Sequence, residues 1–277
     1  MSRRDSGLAH VAPLTWPRRH GRLPASRRTR RTRRAPGARL IAPPATLNPD
    51  ALQNLAFNVP VLLFAMVAHE YAHGWAAYRQ GDDTAWQLGR LTWNPLRHVD
   101  PFMTVLMPLM TWYGSGGGFM FGGAKPVPVN PRNYRHFKRG DIIVSLAGVA
   151  TNFVLALLAA ALIPVFGQLG RALPALGETC SILQVMMVFG VQINLLLVAF
   201  NLLPIPPLDG SHVMKYLLPP AWSLQYQRIG AYGFLLLVLF LTVGRPVLAL
   251  WMRPASLLGQ MLISLVRPSI ISSPWTT

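Results

Sequence analysis

The chain has 277 residues, of which 52% are apolar and only 13% are charged. Soluble globular proteins usually carry about 25% charged residues, so this composition argues against a soluble protein. Cys180 is the only cysteine, which excludes a disulfide within the chain and a structural zinc site built on cysteines.

The first 48 residues form a segment that is rich in Arg and Pro. Twelve of the 26 basic residues are arginines between Arg3 and Arg39, and only Asp5 opposes them. This composition predicts a disordered tail over residues 1–48, which carries most of the net charge of +17. Such a tail can bind nucleic acid or anionic lipid, or act as a targeting sequence. A solvated tail, or a translation start assigned too far upstream, is the simpler interpretation, and no nucleic-acid partner is expected.

The first apolar stretch, from about Leu55 to Tyr78, is long enough to cross a bilayer and contains an HExxH sequence. On a helix His69 and His73 share a face, so both imidazoles can bind one metal ion. Glu70 can then take a proton from a metal-bound water. His69 lies ten residues before Arg79, roughly 15 Å along a helix, where polar groups are costly unless coordinated or hydrated. A histidine pair that only makes contacts between helices is the alternative.

The next apolar stretch, Phe102–Tyr113, is short and is followed by a Gly-rich run, Gly114–Gly123. About a dozen apolar residues suit a re-entrant segment better than a full crossing. Basic residues flank this segment on both sides: Arg79, Arg90 and Arg97 before it, and Lys125, Arg132, Arg135, Lys138 and Arg139 after it. The positive-inside rule places both clusters in the cytoplasm, so the segment must enter the membrane and return. The Arg-rich tail would then lie outside, against the same rule. Either the tail is not made, which is the favoured interpretation, or the first span has the opposite orientation.

Three further spans are predicted, over Ile142–Phe166, over Ile182–Leu203, and from Ile229 to about Val243 and onward past Arg245. The sequence therefore predicts an all-α polytopic membrane protein. It has about four to six transmembrane helices and a re-entrant Gly-rich segment between the first two core helices.

The C-terminal region shows a break in this pattern. Arg253 and Pro254 are expected to interrupt the last helix, which leaves Leu257–Val266 as a short apolar piece that could lie at the interface. The predicted domains are a disordered tail (1–48), an intramembrane core (49–218), and C-terminal membrane helices with a tail (219–277).

A catalytic zinc site has three protein ligands and an open position, so one more ligand is needed. The candidates outside the tail are His98, His136, His212, Asp82, Asp83, Asp100, Asp141, Glu178 and Asp209. Most of them are interpreted as solvated loop residues beside basic side chains, and His212 as an interfacial residue. Asp209 differs, because it follows an apolar span and three prolines that break the helix. Such a break can turn its carboxylate toward a metal, although a plain turn in which it caps the next helix is the alternative.

The combination of these motifs resembles the site-2 protease family of intramembrane zinc metalloproteases. The HExxH sequence is followed about 135 residues later by Asn201-x-x-Pro204 and by Leu208-Asp209-Gly210. The stretches GRLTWNP (89–95) and KPVPVNP (125–131) are similar to the compact bacterial branch that lacks an inserted soluble domain. The likeness covers roughly residues 54–216.

The resemblance implies one zinc ion per chain with three protein ligands, His69, His73 and Asp209. It implies Glu70 as the general base and a catalytic Asn152, within a Gly148-xxx-Asn152 element, that steadies the substrate carbonyl or its oxyanion. Many relatives have Pro after that glycine, where this chain has Val149. The implied partners are a membrane-embedded protein substrate and the lipid bilayer. The implied location is the bacterial cell membrane, with the active site open toward the cytoplasm.

Two other classes of protein remain as alternatives. One is a membrane protein that binds metal without proteolysis, such as a transporter or a scaffold, although the internal repeat that many transporters show is not found. The other is a soluble metalloprotease whose apolar stretches form its core, which the number and length of those stretches disfavour. The sequence leaves the substrate, its gating and the oligomeric state open.

Overall fold

The computed structural model describes residues 49–114 and 122–272. The predicted tail over residues 1–48 and most of the Gly-rich run after residue 114 lie outside the described residues. Within the described ranges the regular structure is helical and contains no strand, which confirms the predicted all-α class. In chain order the α-helices are α1 (Pro49–Gln80), α2 (Thr84–Gln87), α3 (Met107–Gly114), α4 (Phe137–Ala172), α5 (Gly177–Asn201), α6 (Asp209–Leu217), α7 (Pro220–Ile229), α8 (Gly233–Val243) and α9 (Arg245–Val266).

Four of the described helical segments are long and apolar enough to cross a membrane. They are Phe137–Ala172, Pro174–Asn201, Pro220–Val243 and Arg245–Ser269. Helix α1, which contains the predicted first span, has 32 residues and would extend about 48 Å. The predicted polytopic architecture is therefore confirmed.

Helices α1, α4 and α5 form the centre of the bundle. Small side chains let α4 and α5 approach closely, as is usual for helices packed in a membrane. The buried cluster between them consists of Ala156, Ala159, Ala160, Ile163, Val191 and Leu195. Since α1 packs against α4 along the same bundle, the HExxH helix faces the helix that carries Gly148 and Asn152.

Helix α9 corrects the expectation for the C-terminal region. The helix runs without interruption from Arg245 to Val266, through Arg253 and Pro254, so Leu257–Val266 is its second half and not a separate interfacial piece. Proline removes one backbone hydrogen bond from a helix, but packing can compensate that loss. Five side chains of α9 pack on the cluster between α4 and α5, namely Ala255, Leu258, Leu262, Ile263 and Val266. The predicted domain boundary after residue 218 stays a prediction.

A helical break also separates the last two apolar segments. The helix predicted to continue past Arg245 ends at Val243, and Gly244 separates it from α9. A Cβ atom at Gly244 would lie 2.6 Å from the Phe240 carbonyl oxygen, so only glycine permits this close turn.

The predicted re-entrant segment enters as a π-helix, Pro101–Leu106, that continues into α3. The residues where the segment starts and the residues that follow it lie side by side. Gly123 N donates to Met103 O at 2.9 Å, and Lys125 N donates to His98 O at 2.8 Å. The chain therefore comes back to the end of the bundle from which it left.

The Pro-rich run ends α5 at Asn201, and residues 202–208 form a loop before α6. Leu203 and Leu208 of this loop are buried against Leu237 of α8, which holds the loop inside the protein. The backbone can then leave the helix because it is packed within protein. Helix α6 then begins at Asp209 and packs against α4.

Candidate metal centre

The two histidines of the HExxH sequence lie one turn apart on α1 with their Nε2 atoms 3.0 Å from each other. His73 Nδ1 donates a hydrogen bond to the Val144 carbonyl oxygen at 2.7 Å, so its proton lies on Nδ1. His69 Nδ1 lies 3.2 Å from Asn152 Oδ1, which as an amide oxygen is also an acceptor. Both Nε2 atoms therefore present a lone pair to the same point.

Asp209 brings a third ligand atom to that point. Its Oδ2 lies 3.2 Å from His69 Nε2 and 3.4 Å from His73 Nε2. The same oxygen is buried and has no hydrogen-bond donor among the described residues. Lone pairs in such a cluster repel one another unless a cation, either a proton or a metal ion, lies between them.

The three atoms fit a tetrahedral zinc ion. Ligands at zinc bond lengths of about 2.0–2.2 Å lie about 3.3 Å from one another. The separations of 3.0, 3.2 and 3.4 Å lie on both sides of that value. Of the described His, Cys, Asp and Glu residues, only His69, His73 and Asp209 form such a group. Three protein ligands leave a fourth position for water or substrate.

Helix α4 supports the histidine pair along one of its faces. A Cβ atom at Gly148 would lie 2.5 Å from His73 Nε2 and 2.6 Å from His69 Cε1, so only glycine lets α4 approach this closely. One turn later, Asn152 is completely buried and its Oδ1 fixes the His69 ring. Within the part of the chain that the structure describes, its Nδ2 has no hydrogen-bond partner. The oxyanion role of Asn152 stays a prediction.

The predicted general base, Glu70, is half-buried beside His69. Its Oε2 accepts a hydrogen bond from Val127 N at 2.8 Å, across 57 residues of sequence. Val127 belongs to residues 125–133, which we call the strap. This bond holds one of the two carboxylate oxygens, and the general-base role of Glu70 stays a prediction.

The strap is fastened to the end of α1 by Asp82, which is fully buried. The Asp82 carboxylate accepts hydrogen bonds from Asn130 N at 2.6 Å and from Asn133 Nδ2 at 2.9 Å, and it also accepts from Thr84. Burial raises the pKa of this carboxyl group. The hydrogen bonds from Thr84, Asn130 and Asn133 outweigh that effect and hold its pKa below the ordinary value.

Several other candidate residues differ from their predicted setting. Asp82, His98 and Asp141 were expected to be solvated loop residues, yet they are 0%, 3% and 2% exposed. The expectation fails because the chain folds other segments over them. Asp141 lies within α4, seven residues before Gly148, and this spacing on one helix face is the signal that could have found it. His212 is half exposed and lies near Asp141, so it is not part of the ligand group.

Comparison with known proteins identifies the family. Residues 57–241 match the sequence model of Peptidase family M50, the site-2 protease family. The chain belongs to this family. As an M50 peptidase it is a zinc metallopeptidase of the site-2 protease type, and its long apolar helices make it an integral membrane protein.

Relatives of this M50 peptidase occur in bacteria and archaea. YwhC of Bacillus subtilis, whose name assigns it to the zinc metalloproteases, is 37% identical over 192 residues, which is 69% of this chain and 83% of YwhC. Rip2 of Mycolicibacterium smegmatis is 32% identical over 189 residues, or 68% of this chain and 67% of Rip2. MJ0611 of Methanocaldococcus jannaschii is 34% identical over 97 residues, or 35% of this chain and 44% of that protein. No solved structure gives a significant match.

Proposed function

We propose that this M50 peptidase hydrolyses peptide bonds within or near transmembrane segments of membrane-embedded substrate proteins. The observation that carries the proposal is the triangle of His69, His73 and Asp209 ligand atoms inside a bundle of long apolar helices. A metal-binding triangle joined to an adjacent carboxylate suits hydrolysis, and its position suits substrates that share the bilayer.

The proposed centre holds one zinc ion per chain on His69, His73 and Asp209. A bound zinc ion polarises a carbonyl group and lowers the pKa of a water molecule toward about 7. Val127 N holds Glu70 Oε2 in place, so Oε1 is the atom that takes the proton from water. The same oxygen then delivers the proton to the leaving nitrogen. Asn152 keeps the His69 ring oriented, because its Oδ1 receives the Nδ1 proton.

A substrate helix must unwind before cleavage, because helical peptide bonds are buried among their own hydrogen bonds. The unwound strand then needs backbone groups with which to pair. The strap offers such groups beside the base, since residues 125–130 have no regular structure and Val127 contacts Glu70. A second candidate for such an edge, by its position in the chain only, is the Gly-rich run Gly114–Gly123, which lies mostly outside the described residues.

The proposed location is the bacterial cell membrane with the site open toward the cytoplasm. Two contacts bring the basic clusters to one end of the bundle. Arg135 N donates to Gln80 O at 2.8 Å, and Arg90 Nη2 donates to Lys125 O at 3.0 Å. Because cytoplasmic segments carry an excess of Lys and Arg, this end is assigned to the cytoplasm.

The test is Glu70→Gln, with Glu178→Gln as a matched control. These are the only two glutamates in the chain, and Glu178 is exposed in the first turn of α5. Loss of a general base typically costs about 10²–10⁴ in rate, so Glu70→Gln should stop cleavage while zinc stays bound. Membrane proteins of cells carrying each variant are compared by mass spectrometry, and full-length substrates should accumulate only with Glu70→Gln.

Two outcomes would contradict the proposal. If the Glu70→Gln and parent membranes contain the same peptides while both proteins hold zinc, the protein binds metal without proteolysis. If the purified parent protein holds no more zinc than a His69→Ala, His73→Ala double variant, the zinc centre itself is wrong.

A further inference from the structure

Helix α6 carries the distant zinc ligand, yet it has only nine residues. A helix this short is marginal by itself, so contacts with other elements must fix its direction. Asp209 stands at its first position, where a small rotation of the helix would move the carboxylate away from the histidines. The position of the Asp209 carboxylate therefore depends on the contacts that hold the far end of α6.

A carboxylate of α4 contacts three side chains at the far end of α6. Asp141 is 2% exposed, and its Oδ2 lies 2.5 Å from Lys215 Nζ and 2.8 Å from the Tyr216 hydroxyl. Its Oδ1 lies 3.4 Å from His212 Nδ1. All three partners belong to α6 and are spaced three and four residues apart, so they share the face that meets α4.

The same face of α4 reaches the histidines farther along. Val144 O receives the His73 Nδ1 proton, and Asn152 Oδ1 receives that of His69. Asp141 precedes these residues by three and eleven positions, a spacing that keeps them on one side of a helix. Helix α4 thus contacts both histidine rings directly and holds the helix that carries the third ligand.

We propose that Asp141 is a positioning residue for the zinc centre, which sets the place of the Asp209 carboxylate by binding His212, Lys215 and Tyr216 of α6. The inference rests on the proposed zinc site and adds a residue that does not touch the metal. Zinc–ligand distances tolerate only about 0.2 Å of variation, so even a slight shift of α6 weakens the site. Residues that orient metal ligands typically change metal affinity by about 10–100-fold when they are replaced.

The test measures zinc affinity of the purified full-length protein by competition with a chelator. The variants are Asp141→Asn, Lys215→Met and the double variant, with Asp83→Asn as a control that removes a partly exposed acidic group outside this cluster. We expect each single variant to lower zinc affinity by about 10–100-fold. The affinity of the double variant should be no lower than that of the more severely affected single variant. Asp83→Asn should bind zinc as the parent does.

A second readout separates positioning from a general loss of stability. Cobalt(II) placed in the site reports ligand geometry through its visible absorption, so Asp141→Asn should change the shape of that spectrum. A purely structural role would lower the melting temperature of the metal-free protein and leave the affinity and the spectrum of the folded protein unchanged. If Asp141→Asn does not fold, Lys215→Met and Tyr216→Phe carry the same test from the α6 side.

Different results would contradict the positioning role of Asp141 and the proposed zinc centre. Parent-like zinc affinity and cobalt spectrum in folded Asp141→Asn would overturn the positioning role and leave the zinc centre intact. Absence of zinc from the parent protein would remove the centre itself. Additive losses in the double variant would show that Asp141 and Lys215 act separately, which also contradicts the inference.

Discussion

Two of the buried polar clusters along α4, one around Gln184 and one around the histidines, differ in how fully their hydrogen-bonding atoms are paired. In the second half of the helix, Gln184 of α5 is completely buried and its amide is fully used. Its Nε2 donates to Ile163 O at 2.8 Å and to Ser269 O at 3.0 Å, and its Oε1 accepts from Ile271 N at 3.0 Å. In the first half, beside the histidines, buried polar atoms are left without partners.

The unpaired atoms at the metal centre are Asn152 Nδ2 and Asp209 Oδ2, together with the two Nε2 lone pairs that face each other. A paired buried amide stabilises the fold, whereas unpaired buried groups cost free energy unless a ligand completes them. The Gln184 cluster therefore joins helices, whereas the histidine cluster is built to receive a ligand.

The largest expected effect comes from adding one methyl group at the metal centre. Gly148→Ala should lower zinc affinity by at least about 100-fold and abolish cleavage, because the new Cβ would collide with both histidine rings. Equilibrium competition with a chelator measures the affinity, and metal analysis of the purified protein measures occupancy.

The control is Gly259→Ala in α9, since both substitutions raise helix propensity by about 1 kcal/mol. A Cβ atom at Gly259 would lie 3.4 Å from Leu195 Cδ1, an ordinary contact. This variant should bind zinc normally. Normal zinc binding by Gly148→Ala as well would show that α4 does not confine the histidines.

A smaller effect, on stability alone, is expected at the other cluster. Gln184→Leu removes the amide that donates to Ile163 O and Ser269 O and should lower the free energy of unfolding by about 1–3 kcal/mol. Zinc affinity of the folded protein should not change. Thermal unfolding in detergent measures the first quantity and chelator competition the second.

The matched control for this variant is Gln260→Leu, an exposed residue of α9 whose Nε2 donates only to Ser256 Oγ at 3.3 Å. Its melting temperature should stay close to that of the parent. A large change in zinc affinity with Gln184→Leu would contradict the division of roles between the two clusters.

The smallest effect is expected from lowering the pH, which acts on the strap through the Asp82 carboxylate. In the folded protein the Asp82 pKa is below its ordinary value, so the ionised carboxylate stabilises the fold fully above about pH 4. This stabilisation is lost as the pH falls through the lowered pKa. Amide exchange at Asn130 should therefore accelerate selectively at acidic pH, after correction for intrinsic rates. Mass spectrometry of exchanged peptides measures it.

In Asp82→Asn the faster amide exchange at Asn130 should already be present at neutral pH, and lowering the pH should accelerate it no further. If exchange at Asn130 in Asp82→Asn still accelerates selectively at acidic pH, another titrating group is responsible. Because Val127 of the strap holds Glu70, loosening the strap should also lower the rate of cleavage more than the affinity for zinc.

Local spacing explains why much of the centre could be predicted. His69 and His73 are one helical turn apart, so any helix over residues 69–73 places them on one face. The prolines after Asn201 force the chain out of the helix whatever the rest of the protein does. The approach of Asp209 to the histidines, 136 residues beyond His73, was inferred from a resemblance, since spacing cannot give it.

The errors arose where long-range packing opposes a local signal. Pro254 predicts a break, but contacts of Ala255 and Leu258 with the α4–α5 cluster keep α9 continuous. Asp141 stands close to Lys138 and Arg139 in sequence and was expected to be solvated, yet α6 covers it. Neither outcome can be read from neighbouring residues, because the partners lie far away in the chain.

The amino-acid sequence by itself determined the membrane-spanning helices, the paired imidazoles with their adjacent carboxylate, and the helix break before Asp209. These features depend on backbone geometry over a few residues and on apolar content over about twenty. Only the tertiary structure decided that Asp141 holds α6, that Val127 holds Glu70, and that Gly148 admits the histidine rings. Those contacts join residues that are distant in the chain, and they form only when the helices pack.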